Sequence, residues 1–489
     1  TGRLYVNFDP EILQLIREAK CLSRLGVAVP EAAKMVLLQE HRFKECYNQL
    51  KHALQEYQRI GESISPVLQD LLKPHVQAVE ARLRPGWATL TWTSMNTEAY
   101  LEDVKEGLRR LEELISNTKD IVDNRVEKNL KAISRTVLVD MPSDQSLSLE
   151  DFVGRQEQSV REVTHMLVAR NIEAEMAVED LVAVVTSRQN LPDEESLAAA
   201  HVLKAHYNGL MYQAILSCCR NSLEIMKKRT CSKVANDGFF VDRPFFEVDV
   251  QLSVPSVSLN PTLEDVQASL NQAAKSVLGS AKNLYDWEQG HLPEGERISF
   301  FDMLGCDLEI VKTVLLLTGA LHGTKQQVID YLSNFRKYDW LWKEDKDVQY
   351  RRFVEKNPNI ADYEAELAKF LEVEEEIERI KPMHNIGALS LNSANLKMQL
   401  RNESRQWKLQ YSNKVHRQAR ESMVALMDYI RVTTNRLSVE VDGLDSLRYV
   451  MNVLKEVRER ESSIEMEISP ILDMYQMLEH YLPGGLVNK

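Results

Sequence analysis

The sequence predicts a mainly α chain: an elongated series of irregular helical bundles with short extended segments near residues 85–92 and 244–255. Three observations predict it. Apolar residues recur at steps of three and four over long stretches, as in helices that bury one stripe. Glycine and proline are sparse, 18 and 15 in 489 residues, so few points force a helix to stop. Strict two-residue alternation marks one place, from Phe246 to Val254.

The elements follow in order. Phe8-Asp9-Pro10 before EILQLIREAKCL reads as a helix start, with Asp9 as cap and Pro10 in the first turn. A second helix is predicted from Pro30 through Ile60, about 45 Å long at 1.5 Å per residue. LRPGWATLTWTS, Leu83 to Ser94, then breaks the pattern. Pro85-Gly86 is a turn pair, and the threonines and tryptophans after it favour extended backbone. A joint is predicted here, filled by Trp87 and Trp92. Leu101, Val104, Leu108, Leu111 and Ile115 form the stripe of a bundle helix.

Residues 137–151 are a polar break, followed by helix from Phe152 to about Arg229. MKKRTCSK at 226–233 closes that helix. Cations suit a helix C-terminus, whose carbonyls carry partial negative charge; a nuclear-targeting signal is the other reading. In the alternating stretch Phe246, Val248, Val250, Leu252 and Val254 share one face. Pro244, Pro255 and Pro261 argue against a central strand, so an edge strand or extended arm is expected. Further helical stripes run through Tyr363, Leu367, Phe370 and Ile377, with Glu375 and Arg379 as an i,i+4 pair. Another runs through Leu444, Leu447, Met451 and Leu454. A third runs from Ile464 to Leu482 with a restart at Ser469-Pro470. No solenoid repeat of about 34 or 40 residues is present. The predicted divisions are helical bundles over 1–136, a helical bundle over 137–237, an extended arm over 238–261 and helical bundles over 262–489.

A formal net charge of −13 argues against a general nucleic-acid binder and against broad attachment to anionic membrane. The six cysteines are scattered without a CxxC pair, which points to reduced thiols in a cytosolic or cytoskeletal setting. The most apolar stretch, VKTVLLLTGAL from Val311, contains a lysine and is about half a bilayer span. The chain opens on Thr1 without a methionine and reads as a segment of something longer.

The search for chemistry is negative. Gly319-Ala-Leu-His-Gly323-Thr324-Lys325 has three residues between its glycines, where a phosphate loop needs four, and its threonine precedes the lysine. Gly323-Thr324 reads better as a separator of two helices. His201 and His206 are five apart, whereas a helical metal pair wants a step of four. Glu372, Glu374, Glu375, Glu376 and Glu378 lack the Asp/Asn/Gly loop of a calcium site and read as a solvated face. Cys218-Cys219 read as small core residues. There is no nucleophile elbow and no dinucleotide fingerprint. No catalytic, cofactor-binding or metal-ligating residue is therefore predicted. Trp287, Trp340, Trp342 and Trp407 are either core residues or anchors for partners.

Several stretches resemble the tail of axonemal dynein heavy chains. They are LYVNFDPEILQLIREAKCL (4–22), PGWATLTWTS (85–94), YLEDVKEGLRRLEELISNTKDIVDNRVEKNL (100–130), YDWLWKEDKDVQYRRFVEKNP (338–358), NLKMQLRNESRQWKLQYSNKVH (395–416) and MNVLKEVRERESSIEMEISPILDMYQMLEHYLP (451–483). The opening looks most like outer-arm heavy chains of the gamma type. The resemblance implies a tail segment reaching to the start of the motor's linker. It implies other heavy chains, WD-repeat intermediate chains, light chains and a docking complex on the doublet microtubule as partners, in the cytoplasm and cytoskeleton of the ciliary or flagellar axoneme. It implies neither nucleic acid nor membrane, and no cofactor in this segment, ATP and magnesium belonging to the AAA+ motor of the resembled family. Residues alone equally permit a rod or tether of a spectrin-like or vesicle-tether family.

Overall fold

The predicted apolar stripes form helices. The computed structural model describes residues 11–92, 94, 96–187, 194–230, 244–287 and 298–482. The helix start at Asp9-Pro10 and the end of the 226–233 basic stretch lie outside the described residues. Contacts divide the chain into two units, Thr1–Asp140 with Arg155–Ile225 and Ala273–Val314, and Met141–Gly154 with Met226–Gln272 and Leu315–Lys489.

The first unit begins with α1 (Glu11–Arg24), α2 (Glu31–Leu38), α3 (Glu40–Ser63), α4 (Gln69–Ala88) and α5 (Thr97–Ile121). The single helix expected over 30–60 is divided at Gln39, whose φ of −97° and ψ of 10° turn the chain between α2 and α3. On α5, Leu101, Val104, Leu108, Leu111 and Ile115 are all buried, as the stripe predicts, and α5 packs on α3 and α4. It runs through a π-helical stretch, Val122–Glu127, into α6 (Lys128–Arg135). The expected helix over 152–229 is two helices, α7 (Leu149–Thr186) and α8 (Glu194–Thr230). From the π stretch Arg125 reaches Glu173 at 2.9 Å and Asp180 at 2.6 Å, two turns apart on α7.

The extended segment expected at 85–92 is corrected. Helix α4 runs through Pro85-Gly86 to Ala88, and Thr91-Trp92 is a turn without a strand. A proline inside a helix forfeits one amide bond and crowds the previous turn. Tertiary contact offsets that here. The Tyr100 hydroxyl donates to the Leu83 carbonyl at 2.9 Å, and a Cβ on Gly86 would lie 2.2 Å from that hydroxyl oxygen. Pro85-Gly86 is thus a notch for Tyr100, and the amides of Thr89 and Leu90 close the helix on the Pro85 carbonyl at 3.0 and 2.8 Å.

Trp92 still acts as a joint, but inside this unit. Its ring meets Phe43 edge-on at 5.2 Å and stacks on Tyr47 at 6.4 Å, beside the buried Cys46, Leu50 and Leu101. It therefore ties α3 to the start of α5. Because the ring is half-buried, Trp92→Ala is expected to lower unfolding free energy by about 1–2 kcal/mol, less than a fully buried tryptophan loses. Urea melts of the two proteins check this, and coincident curves refute it.

The second unit holds a small sheet from β1 (Phe246–Ser253), β2 (Ser256–Asn260), β3 (Met383–Ile386) and β4 (Leu389–Asn392), in the order β2-β1-β4-β3. Two antiparallel hairpins join through a parallel β1–β4 pair, with Phe246 beside Leu389 and Asp249 beside Asn392. The alternation at 246–254 is a strand, as predicted, yet it is interior rather than an edge or arm. The prolines bracket it instead of interrupting it: Pro244 precedes β1, Pro255 lies in the β1–β2 turn and Pro261 follows β2. Hence none removes a ladder donor. Leu147 extends the pairing, its amide donating to the Phe245 carbonyl at 2.7 Å and its carbonyl accepting from Glu247 at 2.9 Å. The β3–β4 turn carries Gly387 at φ +56°, a left-handed conformation that glycine adopts without strain.

The remaining helices of the chain are α9 (Leu263–Gly279), α10 (Phe300–Leu304), α11 (Leu308–Thr318), α12 (His322–Ser333), α13 (Trp340–Lys343), α14 (Lys346–Val354), α15 (Ile360–Glu378), α16 (Ala394–Leu437) and α17 (Leu444–Tyr481), of which α10 and parts of α9 and α11 belong to the first unit and the rest to the second. Tyr363, Leu367, Phe370 and Ile377 are buried on α15, and Glu375 pairs with Arg379 at 3.5 Å, both as predicted. The expected restart at Ser469-Pro470 does not occur, since α17 passes through Pro470 unbroken.

Burial pushes the hydroxyls of Tyr100 and Tyr411 up to about 12. An unfolded tyrosine titrates near 10, so the folded state holds these protons more tightly. Their contribution is complete below pH 10 and is lost as pH climbs towards 12. Urea midpoints are expected to fall across that window, and to fall less in a Tyr100→Phe/Tyr411→Phe variant. Equal falls in both proteins refute the assignment.

Candidate interaction surface

Most residues singled out for chemistry have structural roles. Gly319 and Ala320 form the turn between α11 and α12. Gly323 and Thr324, read as the separator, lie inside the first turn of α12, where the Thr324 hydroxyl donates to the Leu321 carbonyl at 2.8 Å. His201 and His206 are both exposed on α8, the latter with its ring 5.3 Å from Tyr207. Among the glutamates singled out on α15, Glu374 pairs with Lys408 at 2.6 Å, Glu376 with Lys337 at 2.7 Å and Glu378 with Lys397 at 3.3 Å. Cys218 and Cys219 are buried, and burial pushes the Cys218 thiol up to about 12, which keeps it protonated and unreactive. Among the described residues no group of His, Cys, Asp and Glu is arranged to hold a metal ion, and no helix is long and apolar enough to cross a membrane.

The tryptophans read as anchors serve the interior. Trp287 is buried, and its indole donates to Asn171 Oδ1 at 3.0 Å. Trp407 is buried against Phe370 and Trp340 and donates to the Leu341 carbonyl at 2.8 Å. Trp340 and Trp342 are half-buried, and Trp342 donates to the Pro255 carbonyl at 3.2 Å. Sequence reasoning missed Arg229. Its guanidinium is buried over the Phe245 ring and donates to the Pro142 carbonyl at 2.7 Å, so the basic stretch pins the 141–147 loop.

One surface in the second unit remains uncovered. The first half of α16 is buried through Leu400, Trp407, Tyr411 and Val415 to Ala419, and the end of α17 is buried from Ile471 onward. Between those points only Thr433 and Val453 are buried. There, among the described residues, α16 and α17 pack on each other alone. Arg460 lies over the Tyr429 ring at 4.3 Å, and Arg436 meets Glu456 at 3.0 Å. The shared seam takes Leu426, Tyr429 and Thr433 from α16 and Ser446, Val450, Val453 and Val457 from α17, all buried or half-buried.

One position past five of these seven seam residues stands an apolar side chain open to water. On α16 these are Met427 (62% exposed) and Ile430 (51%), continued by Met423 (37%); on α17 they are Leu447 (46%), Met451 (58%) and Leu454 (39%). A helix advances about 100° per residue. Antiparallel helices viewed along one axis turn in opposite senses, so one step past the seam points to the same side on both. The result is one apolar side along a two-helix arm. The sequence announced the Leu444–Leu454 stripe but not its exposure, and the Met423–Ile430 stripe has the same period and went unread.

Comparison with known proteins places the chain. Residues 1–100 match the family described as "Dynein heavy chain, N-terminal region 1". Over 98% of its length the chain is 43% identical to the dynein gamma chain of the flagellar outer arm of Chlamydomonas reinhardtii, covering 11% of that protein. It is 26% identical over its full length to dynein axonemal heavy chain 5 of Mus musculus, covering 13% of it. It is 25% identical over 98% of its length to dynein axonemal heavy chain 8 of Homo sapiens, covering 12%. The chain thus spans about an eighth or less of these relatives, and the family region it matches lies in the N-terminal part of the heavy chain rather than in the ATPase motor. With helices along its described length and similarity over almost every residue, the chain belongs to the dynein heavy chain family, on its axonemal branch, in the cytoskeleton of cilia and flagella.

Proposed function

We propose that this chain is a non-catalytic tail segment of an outer-arm dynein heavy chain. In this reading it helps hold heavy, intermediate and light chains together, contributes to docking the arm on the doublet microtubule and carries load between motor and doublet. The similarity to a flagellar outer-arm gamma chain along 98% of the chain is the observation that carries the reading. Packed helices suit a load path, because close-packed interiors are stiff and transmit strain. Glu374, Glu376 and Glu378 are held in ion pairs and Cys218 and Cys219 are buried, roles that belong to the packing of the helices.

Cross-linking mass spectrometry on outer arms in axonemes tests it. Links from residues 11–482 to other dynein subunits are expected, at several faces. Links confined to the heavy chain's own neighbouring segments would leave a spacer and overturn the scaffold reading. Calorimetry with magnesium-ATP is expected to give no binding heat, and a saturable heat refutes the non-catalytic part.

A further inference from the structure

The arm formed by α16 and α17 carries an uncovered apolar side. The exposed apolar side of Met423, Met427, Ile430, Leu447, Met451 and Leu454 lies on the stretch where, among the described residues, α16 and α17 pack only on each other. Two helices leave such a stripe in water, and a third laid along them covers it. Methionine supplies half of the stripe, and its flexible thioether adapts to a partner's shape.

Charge says what kind of helix fits. Arg420, Arg431, Lys455 and Arg458 border the apolar stripe, whereas Glu456, one step before Val457 of the seam, turns to the other side. Arg420 and Arg458 make no ion pair among the described residues. Arg431 meets Asp428 at 3.2 Å and Lys455 meets Glu459 at 3.7 Å, both in exposed intrahelical pairs, and such pairs hold their cations weakly. Glu461 and Glu465 share the apolar side nearer the base and offset part of the charge. In a chain of net charge −13 this is a cation-bordered apolar strip. A second copy of the arm would bring the same cations against each other, which disfavours self-pairing.

We propose that this side of the arm receives an amphipathic helix with acidic residues flanking its apolar stripe, supplied by another polypeptide of the arm complex. The inference rests on the scaffold reading above and adds a place and a chemistry to it.

A photoreactive benzoylphenylalanine at position Met427, and separately at Leu447, in the full heavy chain of assembled axonemes tests it, with mass spectrometry of the adducts. A control probe at Val432, which is exposed one step before the seam on the opposite side, reports background. The expected result is an adduct at both probe positions, and not at Val432, to a helix of one other polypeptide with Asp or Glu beside its apolar residues. Capture is expected to fall at least tenfold in an R431E/K455E/R458E variant with unchanged circular dichroism. Adducts to the same heavy chain, to a second copy at the same position, to lipid or to solvent alone overturn the proposal, as does capture indifferent to charge reversal. If other faces of the chain cross-link to dynein subunits while this side does not, the docking proposal fails and the scaffold reading stands.

Discussion

Replacing Trp407 by alanine is expected to lower the stability of the second unit by about 3–5 kcal/mol, the range found when a buried tryptophan or phenylalanine is truncated. The residue is 2% exposed. Its ring stacks on Phe370 at 5.8 Å and lies 5.9 Å from Trp340, and its indole nitrogen satisfies the Leu341 carbonyl. Alanine removes the packing of α13 and α15 on α16 together and leaves that carbonyl without its partner. Trp407→Phe is expected to cost distinctly less, because most of the ring volume stays. Urea unfolding followed by circular dichroism measures both, and a Trp407→Ala loss below about 1 kcal/mol refutes the assignment.

Glu374→Ala is expected to cost about 2–4 kcal/mol, because it strands a buried cation. The Lys408 side chain is 7% exposed and its ammonium meets Glu374 at 2.6 Å and the Tyr481 carbonyl at 3.2 Å. Removing one partner of a buried pair costs about 3–5 kcal/mol; Glu374 is 22% exposed, so water relieves part of that. A Glu374→Leu/Lys408→Met variant is expected to recover most of the loss, since apolar replacement of a buried pair is often neutral. Failure of the double variant to recover would indicate that the lysine's bond to the end of α17 matters more than the ion pair.

The legible features of this fold were local. The stripes on α5 and α15 and the strand at β1 each declare themselves within a dozen residues, because period alone fixes which face is buried. The misread features depend on distant residues. Pro85 stays helical because of Tyr100, a helix away. The interior place of β1 depends on β4, about 140 residues on. The β3–β4 hairpin left a signal in Gly387 and in alternating Leu389 and Leu391, short enough to pass unnoticed. At the interaction surface, sequence yields stripes but not whether anything covers them. Leu447, Met451 and Leu454 read like the buried stripe of α15, and only the packing separates the two.

The parallel β1–β4 pair also sets the order of events during synthesis. When β2 leaves the ribosome, β1 has one hairpin partner, and its Phe246 end has no strand on the β4 side. Translation at about 5–20 residues per second delivers β4 some 7–30 s later. Through that interval Phe246, Val248 and Val250, all buried in the finished sheet, remain open to wrong partners, and an unpaired strand edge is a template for aggregation. Substitutions that slow or weaken β3–β4 are therefore expected to reduce the yield of folded chain more than its final stability.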